Sequence, residues 1–278
     1  MNPLVSASWL SDHLNERETL VLDATLAPPG SALSVTPRSS FEASHIPGAI
    51  FFDIEEFSDH ATALPHMLLS AEAFASKMSA LGVDSDRTIV VYEQVGVFSA
   101  PRAWWMLRTF GAQRVYLLDG GLGAWVESGF PTESGVTVRE PASFHATLEK
   151  DAVKDFAQIQ RLISEKAQIV DARSAGRFAG SAPEPRPGIS SGHMPGAINL
   201  PFTDLVETGR YKSADELRRV FSEKGVQLDQ PITTTCGSGV TAAVVGLGLE
   251  IAGAESFSLY DGSWAEYAIQ PDATIEKV

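Results

Sequence analysis

The most informative segment of this chain is Ile232-Thr233-Thr234-Thr235-Cys236-Gly237-Ser238-Gly239-Val240-Thr241, which contains its only cysteine. The apolar and β-branched residues before Cys236 predict a strand, and the apolar run 241–251 predicts a buried helix. Cys236 therefore falls in a short glycine-rich loop at a helix N-terminus. Backbone N–H groups in such loops bind anions, and the same field favours a thiolate over a thiol. We interpret Cys236 as a nucleophile; the alternative is a structural cysteine that packs as a small hydrophobic residue.

The length and composition indicate a globular protein of about two domains. A chain of 278 residues accommodates two domains of average size, and a hydrophobic content of 44% is ordinary for globular proteins. A single cysteine excludes an internal disulfide framework. The absence of any Cys-x-x-Cys pair argues against a structural zinc site or a dithiol redox site.

The acidic balance of the chain excludes several classes of partner. With a formal net charge of −14, neither nucleic acid nor an anionic membrane is an expected partner, because both bind clustered lysines and arginines. An anionic small substrate would need a local basic pocket. No apolar stretch reaches the roughly 18 residues that cross a bilayer. The first residues show no basic segment followed by an apolar run, so we expect no secretory signal and a cytoplasmic location.

The sequence repeats itself, and this internal similarity predicts a duplicated fold. Asp23 aligns with Asp171 and His45 with His193, both at an offset of 148 residues. The repeated blocks are Val21-Leu22-Asp23-Ala24 with Val170-Asp171-Ala172-Arg173, His45-Ile46-Pro47-Gly48-Ala49-Ile50 with His193-Met194-Pro195-Gly196-Ala197-Ile198, and Leu118-Asp119-Gly120-Gly121 with Tyr260-Asp261-Gly262-Ser263.

Short apolar strand patterns alternate with helical patterns in each half. In the second half we predict strands at 169–172, 197–200, 232–235 and 256–259, and helices at 153–164, 214–224 and 241–252. This alternation is typical of an α/β fold in which a mostly parallel sheet is flanked by helices. We therefore predict two tandem domains of this kind, residues 1–140 and 152–278, joined by a polar linker at about 141–151.

The two halves differ at the cysteine. The strand pattern before Glu93 aligns with the one before Cys236, so a carboxylate stands where the second half has sulfur. We expect the first half to be catalytically inactive and to form one wall of a cleft, with Arg102 near the domain boundary. Trp104 and Trp105 are more typical of a packed helix face than of direct ligand contact.

The repeated blocks and the cysteine loop together resemble the two-domain rhodanese-like sulfurtransferases, over essentially the whole chain. The neutral loop after Cys236 is similar to that of the members that use 3-mercaptopyruvate, whereas members that prefer thiosulfate usually carry basic residues there. The resemblance implies an enzyme that moves sulfur from 3-mercaptopyruvate through a Cys236 persulfide to a thiol, cyanide or protein acceptor and releases pyruvate. It implies no cofactor and no metal, and it includes a thioredoxin-like reductant among the acceptors.

The resemblance also implies which residues bind the donor. Arg177 and Arg186 correspond to the residues that bind the mercaptopyruvate carboxylate, a role that suits guanidinium groups because they form two-pronged hydrogen bonds to carboxylates. The alternative for either arginine is a surface ion pair with Glu184 or Asp171. The remaining substrate-binding positions are those of the loop and helix start: Gly237, Gly239, Val240 and Thr241.

Proton transfer would need further groups beside Cys236. Ser238 could relay a proton if a histidine reaches it, and by the resemblance this histidine is His66. Glu55 stands where the family can have an aspartate that orients the histidine, and the replacement departs from the family pattern. We interpret the repeated His45 and His193 as structural residues that hold turns. Asp23 and Asp171 are expected to anchor strand ends to loop amides.

The motifs argue against three other readings of the sequence and leave two open. A phosphatase with a Cys-x5-Arg loop would need arginine at the position of Ala242, and the histidines lack metal-ligand spacing. The glycine-rich stretch 120–123 lacks the register of a dinucleotide-binding loop. A thiosulfate:cyanide sulfurtransferase and a non-catalytic persulfide carrier stay open, because both need the same thiolate.

Overall fold

A computed structural model of the chain describes residues 2–29 and 35–278, which form two compact units. The first unit consists of the described residues of Met1–Asp59, together with Leu68–Glu149 and Thr208–Tyr211. The second consists of His60–Met67, Lys150–Glu207 and Lys212–Val278. Each unit therefore includes a short segment from the other half of the sequence.

The first unit contains a five-stranded parallel sheet flanked by helices. Its strands are β1 (Leu4–Val5), β2 (Thr19–Asp23), β3 (Ile50–Phe51), β4 (Thr88–Tyr92) and β5 (Arg114–Leu118), in the order β1-β5-β4-β2-β3. Its helices are α1 (Ala7–His13), α2 (Pro37–Ala43), α3 (Ala71–Ala80), α4 (Ala100–Thr109) and α5 (Gly121–Glu127). The central strands β2 and β4 are almost entirely buried, as expected for a parallel sheet covered on both faces.

The second unit repeats this architecture. Its sheet has the order β6-β12-β11-β7-β8, with every pair parallel. The strands are β6 (Val153–Lys154), β7 (Gln168–Asp171), β8 (Ile198–Asn199), β9 (Val206–Glu207), β11 (Ile232–Thr235) and β12 (Phe257–Tyr260), of which β9 lies outside the sheet. The strand β10 (Arg210–Tyr211) belongs to the segment Thr208–Tyr211 of the first unit. The helices are α6 (Phe156–Ser164), α7 (Ala175–Ala179), α8 (Ala214–Glu223), α9 (Val240–Ala252) and α10 (Ser263–Tyr267), with short 3-10 turns at Lys150–Ala152 and Phe202–Leu205.

The predicted fold of two α/β units is confirmed, and so are its central elements. The strand predicted at 232–235 is β11, and the helix predicted at 241–252 is α9, which begins one residue earlier because Gly239 adopts a left-handed conformation with φ of 79°. The start predicted for the helix at 153–164 was wrong. Residues 153–154 form the edge strand β6, and Asp155 then caps α6 through a capping box with Gln158.

The segment after α5 packs onto the first unit. Phe144 is buried, and the backbone N–H groups of Ala142 and Thr147 donate to the carbonyls of Ser79 and Phe110 at 2.9 and 3.0 Å. The predicted polar linker thus includes residues that contribute to the core of the first unit.

The tryptophans of α4 lie in the core of the first unit, as predicted. Trp104 is 1% exposed and its indole donates to the carbonyl of Val115 at 3.1 Å, while Trp105 is 2% exposed and lies under the guanidinium of Arg102.

None of the helices in the described residues is long and apolar enough to cross a bilayer.

The packing of α9 on β12 gives a stability prediction. A methyl group at Gly246 would lie 2.4 Å from Cε2 of Phe257, so Gly246→Ala should overpack this contact and destabilise the protein by about 1–3 kcal/mol. Gly123 is the matched control, because it also lies in a helix but has open space around it. Gly123→Ala should leave stability unchanged or raise it by about 0.5–1 kcal/mol. Urea denaturation of both variants tests this, and equal stability of the two would contradict it.

Candidate active site

The cysteine loop connects β11 to α9 in the second unit, and α10 holds it in place. The backbone N–H of Trp264 donates to the carbonyl of Cys236 at 2.9 Å, and that of Ala265 donates to the carbonyl of Gly237 at 3.0 Å. Because the first N–H groups of a helix have no partner within it, α10 uses them to fix the loop carbonyls. Cys236 itself is 2% exposed, so its sulfur is shielded from bulk water.

Ser263 adds a second connection between α10 and the loop. Its hydroxyl accepts a hydrogen bond from the backbone N–H of Cys236 at 3.3 Å and donates to the carbonyl of Tyr260 at 2.8 Å. Ser263 has a φ of 49°, a left-handed conformation that costs free energy for a residue other than glycine. No sequence pattern pointed to Ser263, although Ser263 aligns with Gly121, which has a φ of 54° and thus marks a position of unusual backbone geometry.

His66 and Ser238 meet in the structure. Nδ1 of His66 lies 3.0 Å from Oγ of Ser238, and both residues are buried. His66 reaches this position in a left-handed conformation with φ of 59°, within the segment His60–Met67 that belongs to the second unit. Glu55 lies in an exposed turn of the first unit, where its backbone N–H donates to Asp53.

A buried arginine anchors the end of β7. Arg173 has a fully buried side chain that binds both carboxylate oxygens of Asp171, donates to the carbonyl of Gly192 at 2.7 Å and lies 4.1 Å above the ring of Trp264. Burial alone would lower the pKa of Arg173, but the charges and hydrogen bonds of Asp171 and Glu184 outweigh burial and raise it. Arg173 is therefore a charged structural residue that packs on Trp264, the residue whose N–H holds the carbonyl of Cys236.

Arg177 and Arg186 both approach the cysteine loop. A methyl group placed on Gly237 would lie 2.8 Å from Nη2 of Arg177 and 3.9 Å from Nη1 of Arg186. Arg177 also forms the ion pair with Glu184 that the sequence left as its alternative, through Nε at 3.1 Å and Nη2 at 2.5 Å. The two readings of Arg177 are thus compatible, because the paired guanidinium lies beside the loop.

The repeated histidines have the structural environment that was predicted for them. Nδ1 of His45 lies 2.7 Å from the carbonyl of Phe41 and Nδ1 of His193 lies 2.9 Å from the carbonyl of Phe178, and each imidazole stacks on that same phenylalanine. These contacts fix the turns that follow α2 and α7.

The aspartates of the repeated blocks anchor strand ends, as predicted. Asp171 accepts the backbone N–H of Arg173 at 2.9 Å, and Asp23 accepts that of Thr25 at 3.0 Å. Thr25 stands where the second unit has Arg173, and Asp23 binds the amide of Gln94 as well. Burial raises the pKa of Asp23, although its hydrogen bonds to Thr25 and Gln94 oppose the rise.

Glu93 occupies the position of the nucleophile in the first unit. Its carboxylate accepts hydrogen bonds from the backbone N–H groups of Phe98, Ser99 and Ala100 at 2.8–3.2 Å, at the start of α4. Its carbonyl accepts the N–H of Leu122, as the carbonyl of Cys236 accepts that of Trp264. The first unit thus holds a carboxylate side chain in the nest of amides where the second unit has its cysteine.

The buried Glu93 makes the stability of the first unit depend on pH. Burial raises the pKa of Glu93 to about 7, although the hydrogen bonds from Phe98, Ser99 and Ala100 oppose the rise. Because the folded-state pKa lies above the ordinary value, the contribution of Glu93 to stability is fully present below about pH 4.5 and is lost as the pH rises through 7. At about 1.4 kcal/mol per pH unit, this loss amounts to about 3 kcal/mol.

Glu93→Gln should therefore reduce the loss of stability between pH 5 and pH 8.5. Urea denaturation of wild type and variant at both pH values measures this difference. Glu18→Gln, which changes an exposed carboxylate of the same unit, is the matched control and should keep the wild-type pH dependence. The same slope in all three proteins would show that Glu93 does not titrate in this range.

Among residues 2–29 and 35–278, no group of three histidine, cysteine, aspartate or glutamate side chains is arranged to hold a metal ion.

Comparison with known proteins agrees with this geometry. The rhodanese-like domain family matches residues 6–128 and 155–270, so the chain belongs to this family and carries two copies of its domain. It is 44% identical over 275 residues to the 3-mercaptopyruvate sulfurtransferase of Escherichia coli K12, covering 99% of this chain and 98% of the relative. A crystal structure of a 3-mercaptopyruvate sulfotransferase from Escherichia coli superposes with a TM-score of 0.88 at 42% identity, covering 95% of this chain and 99% of that one. The thiosulfate sulfurtransferase of Gallus gallus is 43% identical over 272 residues, with 95% and 92% coverage.

Proposed function

We propose that this chain is a sulfurtransferase that takes sulfur from 3-mercaptopyruvate, holds it as a persulfide on Cys236 and passes it to a thiol, cyanide or protein acceptor. The observation that carries the proposal is the uncharged loop of Cys236, fixed by α10, with two guanidinium groups beside Gly237. The relatives named for this activity match almost the whole chain.

The proposed first half-reaction forms one bond and breaks one. The Cys236 thiolate attacks the thiol sulfur of the donor, a sulfur–sulfur bond forms, and the carbon–sulfur bond of the donor breaks. Its electron pair leaves as the enolate of pyruvate, which takes a proton at carbon to give pyruvate. Backbone N–H groups at the start of α9 favour negative charge on the cysteine sulfur and then on the persulfide.

The proton of the donor thiol has to reach the enolate carbon, and the contact between Ser238 and His66 supports a route for it. The Ser238 hydroxyl accepts the proton of the donor thiol while it gives its own proton to Nδ1 of His66, which lies 3.0 Å away, and the reverse transfer delivers a proton to the enolate carbon.

In the proposed complex, Arg177 and Arg186 bind the carboxylate of the donor. The sulfur end of the donor then lies over the loop residues Gly237 and Gly239 and the first turn of α9, which carries Val240 and Thr241. A compact dianion such as thiosulfate gains less from this arrangement, because it has no carboxylate several atoms away from its sulfur.

In the second half-reaction an acceptor thiolate or cyanide attacks the outer sulfur and frees the Cys236 thiolate. We include a thioredoxin-like reductant among the acceptors. A reducing compartment such as the cytoplasm suits this cycle, because the only cysteine has to return to the thiolate form.

The direct test is turnover of 3-mercaptopyruvate by the purified protein, followed by pyruvate release and by intact mass. Wild type should release pyruvate catalytically and, without acceptor, gain the mass of one sulfur atom. Cys236→Ser should do neither, because an alcohol does not form the persulfide. Substantial turnover by the serine variant would remove the persulfide mechanism. Release of a single equivalent of pyruvate by wild type in the presence of an acceptor, without further turnover, would indicate a persulfide carrier rather than an enzyme.

Arg177→Ala tests the grip on the donor carboxylate. Loss of a charged hydrogen bond costs about 1.5–3 kcal/mol of binding free energy, so kcat/KM for 3-mercaptopyruvate should fall roughly 10- to 150-fold. The kcat/KM for thiosulfate should fall less. Arg161→Ala is the matched control, because it removes the same charge from an exposed position on α6. Equal losses for both donors in Arg177→Ala would rule out the carboxylate role, and a lower KM of wild type for thiosulfate than for 3-mercaptopyruvate would favour the thiosulfate:cyanide activity.

A further inference from the structure

Glu184 is a buried carboxylate that the proposed reaction does not use. It lies between α7 and β8, its side chain is 4% exposed, and each of its oxygens binds a different arginine. Oε1 accepts from Nη1 of Arg173 at 2.7 Å, and Oε2 accepts from Nε and Nη2 of Arg177 at 3.1 and 2.5 Å. Glu184 therefore links a fully buried structural arginine to the arginine beside Gly237.

This bridge fixes the direction in which Arg177 points. Two of the three nitrogens of the guanidinium are bound to Glu184, and one of these, Nη2, is also the atom nearest to the missing side chain of Gly237. Because guanidinium is planar, binding its Nε edge to Glu184 sets the plane and leaves Nη1 and the second hydrogen of Nη2 for a ligand. Arg173, held by Asp171, provides the fixed end of the bridge.

Glu184 also sets the charge at this place. Its negative charge lies within hydrogen-bond distance of two guanidinium groups, so it reduces the positive potential that a donor meets near Gly237. A change of one unit in the charge of the site alters the Coulomb energy of a dianion twice as much as that of a monoanion at the same distance. The carboxylate therefore weakens binding of a dianion more than binding of a monocarboxylate.

We propose that Glu184 is a specificity-determining residue: it positions Arg177 and lowers the positive charge beside the cysteine loop, so that the site favours a monoanionic α-keto acid donor over a dianion such as thiosulfate. This inference rests on the proposed function. Arg177 supplies the contact to the donor, and Glu184 acts through Arg177 as a positioning residue.

The test is the ratio of kcat/KM for thiosulfate to kcat/KM for 3-mercaptopyruvate. Glu184→Gln keeps the shape but removes the charge, and it should raise this ratio by about tenfold or more at low salt, with a smaller change at high salt because salt screens charge. Glu165→Gln, an exposed residue at the end of α6, is the matched control and should keep the wild-type ratio. An unchanged ratio in Glu184→Gln would overturn the proposal.

Glu184→Asp separates position from charge. It keeps the charge but shortens the side chain, so it should raise KM for 3-mercaptopyruvate severalfold through loss of the Arg177 contact, with a smaller change in the ratio than Glu184→Gln. If Glu184→Gln does not fold, as judged by circular dichroism, an unchanged KM for 3-mercaptopyruvate in Glu184→Asp overturns the proposal.

A binding measurement distinguishes this inference from the proposed function. Pyruvate and sulfate serve as an unreactive monoanion and dianion, and isothermal titration calorimetry measures their binding. Glu184→Gln should strengthen sulfate binding more than pyruvate binding, whether or not the protein turns over 3-mercaptopyruvate. Lack of turnover by wild type would remove the proposed function alone, whereas equal effects on both anions would remove the role of Glu184.

Discussion

The contact between the start of α10 and the cysteine loop is the constraint on which the second unit depends. The N–H groups of Trp264 and Ala265 bind the carbonyls of Cys236 and Gly237, and the hydroxyl of Ser263 binds the N–H of Cys236. Since its carbonyls are bound on the α10 side, the loop can turn into α9 and leave the first N–H groups of that helix for an anion. The left-handed backbone of Ser263 is the local cost of this arrangement.

The first unit shows what the same scaffold does without a sulfur nucleophile. Its loop carbonyl, that of Glu93, is bound by the N–H of Leu122, and the residue before Leu122, Gly121, has the same left-handed backbone as Ser263. The anion site at the helix start is filled by the Glu93 carboxylate itself, with Ser99 contributing both its N–H and its hydroxyl. Both units therefore keep the backbone N–H groups that favour negative charge at the start of a helix. The side chain at this position, Glu93 or Cys236, decides whether the negatively charged group is a carboxylate or a reactive thiolate.

The sequence predicted the parts of this protein that depend on local patterns. The run of β-branched residues before Cys236 and the glycine-rich loop after it sufficed for β11, the turn and α9, because β-branched residues favour a strand and the apolar run after the loop is long enough for a buried helix. The pairing of His66 with Ser238 joins residues 172 positions apart, and only the family pattern pointed to it. Ser263 was missed, and Glu184 was named only as an alternative ion-pair partner, because their roles come from contacts to a loop backbone and to two arginines that no periodicity records.

Carboxylate and guanidinium groups alternate in a chain of contacts that runs from the buried Asp171 to the partly exposed Arg177. Asp171 and Arg173 form a pair whose side chains are at most 1% exposed, and such a pair is stable only if its remaining hydrogen-bonding groups are satisfied. Glu184 and the carbonyl of Gly192 satisfy them, and the second oxygen of Glu184 then binds Arg177, which is 23% exposed. A partly exposed guanidinium is thereby held by a chain of contacts that ends in the core, so its position beside the loop does not depend on surface contacts. The acidic protein thus keeps a local cationic site, as an anionic donor requires against a net charge of −14.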